Sequence, residues 1–593
     1  MASPHRSWQE TSASMVEHLN STIDKIQPPV PACPQKLPNN VIGLAGALLA
    51  AKVVTITEMS VEVLLPKLAS GDLTSTEVTT AFLQRAGLAS RLTNCVTEML
   101  PDRALGRAKY LDDYLAEHKK PIGPMHGLPI SVKEHIGMRG LDLNAGFVSW
   151  VGRIAEDDAL ILKLLWNAGC VFYVRTTEPQ ALMHLETSNN IYGVTVNPYN
   201  RALTSGGSSG GEGALIGFRG SCLGIGTDIG GSIRSPAANN GVFGLRPTSH
   251  RLPVSGWSAT MLGSEHIIPV IGPLSTSLEG IKLFTKTLID QKPWLYEPVC
   301  VSIPWKDTSS GTLLRKASSG QRRLRIGVLA DDGVVKPHPP ILRGINSVMD
   351  RLKDHSDIEV IEFPPYKSEE AWRVISSLYF ADGAEEGQHI ISITECWWID
   401  TDSLAEKAAI NASGEPMLPL TDFIITNNPN VKALTVPELW KLTQDREDYK
   451  AAFTQHWNSI NTSLPGPNES RLVEASAMSQ QDLMVDVILT PAGPGCAPPL
   501  NCSRYWNYTS QWNLLDYPCL IFPTGLQAGN EDVADKAYVP RNSQDKYNHE
   551  LYKPETYIDA PISLQLVGRR YEEEKLIEAL EFITDVAKLP LSR

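Results

Sequence analysis

Several things that would assign a chain quickly are missing from this one. No apolar stretch reaches the about 20 residues that a membrane-spanning helix needs; the run Val41 to Ala51 ends at Lys52 after eleven residues, and it reads as a buried helix. The nine cysteines are an odd number without a Cys-x-x-Cys pair. That excludes a disulfide framework or zinc knuckle and suggests reduced thiols in an intracellular, cytoplasmic protein. A basic excess is lacking as well. The net charge of −13 argues against nucleic acid or an anionic membrane as the main partner. No group of His, Cys and Asp has metal-ligand spacing, so no metal is expected. The first 35 residues are polar and then Pro-rich, with no secretory pattern, so the Asn-x-Ser/Thr sequons carry little weight. There is no internal repeat.

What is present suits a large soluble protein. With 593 residues, 42% apolar and 20% charged, the chain has ample material for one large unit or several. A helical arm at about 7–26 and a Pro-rich linker to residue 40 precede a main body over 41–593. Thr74 and Glu77 form a capping box that opens a helix running to about Arg85. A second helix spans 102–115, and others are expected at Leu160–Trp166, Leu274–Leu288 and Glu572–Ala587. Strands are expected at Leu128–Lys133, Cys170–Arg175, Arg325–Leu329, Ile358–Phe363, Val485–Thr490, Cys519–Phe522 and Ile562–Val567. This alternation predicts an α/β fold, a large sheet covered by helices on both faces. Residues 366–480, rich in helix and tryptophan (Trp372, Trp397, Trp398, Trp440, Trp457), read as a helical insertion or cap.

The informative feature is a pair of glycine-rich runs, Gly-Gly-Ser-Ser-Gly-Gly at 206–211 and Gly-Thr-Asp-Ile-Gly-Gly-Ser-Ile-Arg at 226–234, with Lys-Glu at 133–134 upstream. A Gly/Ser hexamer alone is a linker. Here the apolar continuation and the embedded acid exclude that. Successive backbone N–H groups in such turns form an anion-binding nest, and Ser232 ends the second one, where its hydroxyl could attack a carbonyl whose oxygen the nest receives. Asp228 and Arg234 flank it and read as a buried ion pair bracing the loop. The serine needs a base. None of the thirteen histidines has a triad-like neighbourhood, and His126 and His135 read as structural. Lys133 is the better candidate, because it ends an apolar strand and desolvation favours its neutral amine. Ser208 could relay the proton between the two.

These residues resemble the amidase signature family. Gly206 to Pro236 is similar to the whole of that 31-residue pattern, and His-Gly-Leu-Pro-Ile-Ser-Val-Lys (126–133), Thr-Val-Asn-Pro (195–198), Gly-Pro-Leu-Ser (272–275) and Leu-Gln-Leu-Val-Gly-Arg-Arg (564–570) extend the likeness over about 60–590. The decapeptide 331–340 resembles the fungal acetamidase branch. The resemblance implies one domain on a large mixed sheet, no cofactor, and a Ser-Ser-Lys triad. Ser232 is then the nucleophile, Ser208 the bridge after a cis Gly207–Ser208 peptide, and Lys133 the base, with the N–H groups of Ile229, Gly230, Gly231 and Ser232 as oxyanion hole. Leu252 to Pro269 matches no pattern, and Trp512 and Asp516 look particular to this chain.

The activity implied is release of ammonia from a small-molecule carboxamide through an acyl-enzyme. Alternatives are a membrane-associated fatty-acid amide hydrolase and an amidotransferase subunit that passes ammonia to a partner. Pocket walls are nominated at 179–187 (with Met183 and Glu186) and Tyr508–Trp512, together with Gly207 and Ser208. No stable membrane insertion is expected. The oligomeric state is left open, a homodimer included.

Overall fold

The computed structural model describes residues 6–261, 263–307, 324–384, 406–460 and 484–590. Among these residues eleven strands make one sheet: β1 (Val96–Met99), β2 (Pro129–Lys133), β3 (Val171–Thr176), β6 (Leu223–Asp228), β7 (Phe243–Arg246), β8 (Val270–Ser275), β9 (Leu324–Val328), β10 (Ile358–Glu362), β11 (Val487–Pro491), β12 (Cys519–Gln527) and β13 (Pro561–Val567). β4 (Ser188–Asn189) and β5 (Gly193–Val194) form a separate pair. The order is β1-β3-β2-β6-β8-β7-β12-β13-β11-β9-β10. Pairing is parallel for β3/β2/β6 and for β10/β9/β11, and antiparallel elsewhere. The result is the α/β architecture expected, a large mixed sheet among helices. Strands such as β2, β3, β6 and β8 are buried along their whole length, as a sheet covered on both faces requires.

β6 passes through the second glycine run and was not expected as a strand. Glycine is depleted from strands, but a side chain at Gly224 would collide with Glu212 and Ser131, so the strand uses glycine for a close approach. A second correction concerns Leu274–Leu288. Leu274 and Ser275 belong to β8 and pair with Gly224 and Leu223. The helix begins only at Leu278, where the Ser277 hydroxyl accepts from the Gly280 amide at 3.2 Å. A third concerns Val41–Ala51, which is not one buried helix. Leu44–Leu48 and Ala51–Thr57 are separate helices with Leu49 and Ala50 extended between them. Val41, Ala45 and Leu49 are buried, whereas Gly46, Ala47 and Ala50 are exposed. Two glycines in eleven residues weaken helix propensity. Among the described residues no helix is long and apolar enough to cross a membrane.

Helix Trp8–Asp24 opens on a Ser7/Glu10 capping box and lays Leu19 and Ile23 into the core shared with the first half of the sheet. The Met99 amide at the end of β1 donates to Thr22 at 3.0 Å. Within 366–480, helices Ser368–Tyr379, Glu406–Ser413, Pro419–Ile425 and Val436–Ser459 are present. Trp397 and Trp398 lie outside the described residues.

The linker is seated by an absence of side chain. A Cβ on Gly87, in helix Ser75–Thr93, would stand 2.6 Å from a Val30 methyl. Gly87→Val should therefore destabilise the protein by about 1–3 kcal/mol through overpacking and expose the 28–35 linker to limited proteolysis. An unchanged urea midpoint and cleavage pattern would show that the linker is not held there.

Candidate active site

β2 carries Lys133 into the sheet interior. Alternate residues of a strand share a face, and Ser131 and Lys133 both look toward helix Gly210–Gly217 and the turn before it. Ser131 donates to Glu212 at 2.5 Å, and Lys133 Nζ lies 2.6 Å from Ser208 Oγ. β2 pairs with β6 in parallel, which brings Thr227 to the same amine, 3.0 Å from Nζ. Lys133 is fully buried, and among the described residues no carboxylate is within ion-pair distance of it. Burial pushes the lysine down to about 7 from an ordinary 10.5, against the opposing pull of Glu178, Asp228 and Glu212. A neutral amine near pH 7 follows.

The glycine-rich loop is held by its carbonyls and by one carboxylate. Asp228 Oδ1 accepts from the Gly231 amide (2.9 Å) and Oδ2 from the Ile233 amide (3.1 Å). Arg234 closes a two-pronged pair on the same carboxylate, with Nε and Nη2 each at 3.0 Å. Asn513 adds a fifth N–H at 2.9 Å. Burial works against the charge, but Arg234, Asn513 and Arg246 outweigh it and hold the carboxyl at about 2. The Ile229 carbonyl accepts from the Tyr379 hydroxyl (2.9 Å), the Gly230 carbonyl from Thr509 (2.7 Å), and the Gly231 carbonyl from the Ser235 amide (2.7 Å). A trans peptide is planar, so fixing each carbonyl aims the next N–H the opposite way. The amides of Gly230 and Ser232 are oriented in this manner. Within the expected oxyanion set the Gly231 amide donates to Asp228, whereas the amides of Ile229, Gly230 and Ser232 are not among that carboxylate's donors.

Ser208 and Ser232 line one cavity of about 320 Å³ with Ile229, Met183, Trp257 and Tyr379. The Gly207–Ser208 peptide is cis, and a Cβ at Gly207 would fall 2.4 Å from the His184 carbonyl; Gly207 itself is not a lining residue. Val299, 53% exposed, stands where the cavity meets solvent. Trp512 is a correction. It is buried away from the cavity, its indole donating to the Tyr508 carbonyl at 3.0 Å and its ring against Phe453. Thr509 and Asn513, one helical turn apart, face the loop, and Trp512 sits one position off that row. Glu186 and Tyr508 also pack elsewhere, Glu186 accepting from the Asn501 amide (2.8 Å) and Tyr508 donating to Val335 (2.6 Å). Asp332 of the decapeptide 331–340 accepts the Val334 and Val335 amides in a buried turn.

Residues that the sequence did not single out one by one supply much of the wall. Val254, Trp257, Met261 and Ile267 line the cavity, and all belong to the stretch that matched no pattern. The mismatch itself was the available signal. Tyr379 left none, because it meets the loop only through a tertiary contact; Thr227 stands inside the second glycine run and Thr509 inside the nominated 508–512 segment, without either being singled out. Among the described residues there is no cluster of three or more His, Cys, Asp or Glu that could hold a metal.

Breaking the loop's ion pair should be costly. Asp228→Asn or Arg234→Leu leaves a buried, uncompensated partner, worth about 3–5 kcal/mol, and the double variant should cost less than the sum. The pair's stabilisation is complete above the unfolded aspartate value of 3.8 and is lost as pH falls toward about 2. Urea midpoints across that range check the sign; additive single losses would show that the two residues do not act together.

The Amidase family profile matches residues 77–577. A putative amidase of Schizosaccharomyces pombe is 39% identical over 98% of this chain and 99% of its own length. An acetamidase of Emericella nidulans is 38% identical over 98% of both. Among solved structures, a fatty acid amide hydrolase superposes with a TM-score of 0.85 at 32% identity, over 98% of this chain and 96% of that one. With the glycine-rich loop, the buried lysine and the mixed sheet in place, the match over most of its length means that this chain belongs to the amidase family.

Proposed function

We propose that the protein hydrolyses a small carboxamide to its carboxylic acid and ammonia through a Ser232 acyl-enzyme. One observation carries the reading: a buried lysine with no ion pair among the described residues, 2.6 Å from Ser208 Oγ, beside a cavity that Ser232 also lines. Ser232 Oγ attacks the amide carbon while its proton passes through the Ser208 hydroxyl to the neutral Lys133 amine. The oxyanion is received by the amides of Ile229, Gly230 and Ser232. As the tetrahedral adduct collapses, the C–N bond breaks and the proton returns along the same path to the departing nitrogen. Water then attacks the acyl ester, with Lys133 again taking a proton. This chemistry calls on no metal or cofactor.

The acetamidase relatives and the cavity volume, at the low end of the about 300–1,000 Å³ of small-molecule sites, support a small amide. A second reading, a fatty-acid amide substrate, is favoured by the 32% identity and near-complete overlap with the fatty acid amide hydrolase, and by an apolar wall of Met183, Trp257 and Ile267.

Ser232→Ala and Lys133→Ala should each lower kcat by about 10⁴-fold or more, and the double variant should be little worse, since groups acting in one step are not additive. Ser208→Ala should be milder, with water relaying the proton. A serine-directed phosphonate should add mass to wild type and not to Ser232→Ala; labelling elsewhere would defeat the assignment. Because Lys133 is the base, kcat/KM should climb with pH and level off above about 7, and a flat profile from pH 6 to 9 would argue against it.

Substrate choice is decided by measuring ammonia from simple aliphatic or aryl-acetic primary amides beside fatty acid from a long-chain N-acylethanolamine. Preference for the primary amide is expected, and a clear preference for the lipid would transfer the enzyme to the second reading.

A further inference from the structure

His135, two residues beyond Lys133, is buried and stacks on Trp257 with ring centroids 5.8 Å apart. Its Nδ1 lies 2.8 Å from the Ser258 carbonyl oxygen. A carbonyl only accepts, so Nδ1 carries the proton. Burial, reinforced by the neighbouring charges of Lys133 and Arg175, holds the imidazole well below its usual range. The ring is therefore neutral, and Nε2 is a bare acceptor. Nε2 is 3.1 Å from Thr227 Oγ1, so the single Thr227 proton is donated to His135. Toward Lys133 Nζ, 3.0 Å away, Thr227 can offer only lone pairs, and Lys133 must donate there. With one N–H occupied and Thr227 unable to donate, the Lys133 lone pair is left for the Ser208 hydroxyl at 2.6 Å. Were the Thr227 proton free, it could enter that lone pair, and Lys133 would present an N–H to Ser208, the wrong polarity for taking up a proton.

We propose that His135, acting through Thr227, is a positioning residue that reserves the Lys133 lone pair for Ser208. The inference rests on the Ser-Ser-Lys reading above and deepens it. The device is anchored in the cavity wall: the Ser258 amide donates back to the His135 carbonyl at 2.8 Å, and Ile136 bridges Trp257. The chain Ser258–His135–Thr227–Lys133–Ser208 thus passes from the segment that shapes the pocket to the groups that move the proton, with every direction set by the first carbonyl.

The test is Thr227→Val, which removes at constant shape the acceptor that holds one Lys133 N–H and so lets the amine turn an N–H toward Ser208, and His135→Leu, which frees the threonine proton, with Thr227→Ser as the conservative control. The charges facing Lys133 are Glu178, Asp228 and Glu212, and those facing His135 are Lys133 and Arg175; none is altered. Thr227→Val takes an acceptor from the ammonium, and His135→Leu supplies a donor to the neutral amine. Both favour neutral Lys133, so the acid limb of the kcat/KM profile should move to lower pH. Plateau kcat should fall about 10–100-fold, within the range of general acid–base contributions, with KM within about threefold. Thr227→Ser should keep kcat within about threefold of wild type and the limb in place. If His135→Leu does not fold, the Thr227 pair decides alone. Wild-type kcat and limb in folded Thr227→Val, or a loss carried by KM alone, would overturn the proposal while an inactive Lys133→Ala leaves the triad standing. An active Lys133→Ala would instead remove the triad reading on which the proposal depends.

Discussion

The carboxylate of Asp228 accepts from two amides of its own loop, from two nitrogens of Arg234 and from Asn513. A buried ion pair of this kind contributes little net stability against a packed apolar alternative, because desolvation of both charges offsets most of the attraction. What it supplies is geometry. The loop between β6 and helix Arg234–Asn239 has few side chains of its own to pack, and glycines alone would leave its peptide planes free to turn. Tied at both ends to one carboxylate, and through its carbonyls to Tyr379, Thr509 and Ser235, it keeps one arrangement. Arg234 extends the tie to the Thr509 carbonyl and Gln565, so residues from the far half of the sheet hold the loop in place.

Lys133 depends on the opposite constraint, the keeping away of charge. Its neighbourhood is rich in acids, yet most are occupied, and Glu178, whose Oε2 is buried without a partner, has its carboxyl pushed up by burial and by Glu134. Asp228 is bound to Arg234, Glu212 accepts from Ser131 and Thr176, and Glu134 accepts from the Asn144 and Ala145 amides. Glu212 is pushed up to about 7 by burial, which weakens its pull on the lysine. Desolvation therefore wins over attraction. Had one of these acids reached Nζ directly, the ammonium would be the stable form.

Much of this was legible in the chain. Capping residues at Thr74 and Glu77 set a helix start that the structure keeps, and apolar runs marked β2, β3, β9 and β13 because buried strands need them. The expectation failed where residues serve two masters. β6 was hidden by glycines chosen for close approach to Glu212, and Leu274 continues an apolar pattern that serves both the end of β8 and the helix after it.

By itself the sequence determined the family, the α/β class and which residue types stand at the site, because tight glycine turns, strand ends and caps are local and leave local patterns. Only the tertiary structure decided which loop amides Asp228 takes, that Trp512 faces the core and Met183 the cavity, and that Thr227 reaches both Lys133 and His135. Those depend on contacts such as Tyr379 with Ile229 and Thr509 with Gly230, between residues well over a hundred positions apart. The direction of a hydrogen bond or the desolvation of an amine is a property of everything packed around it, which no short segment carries.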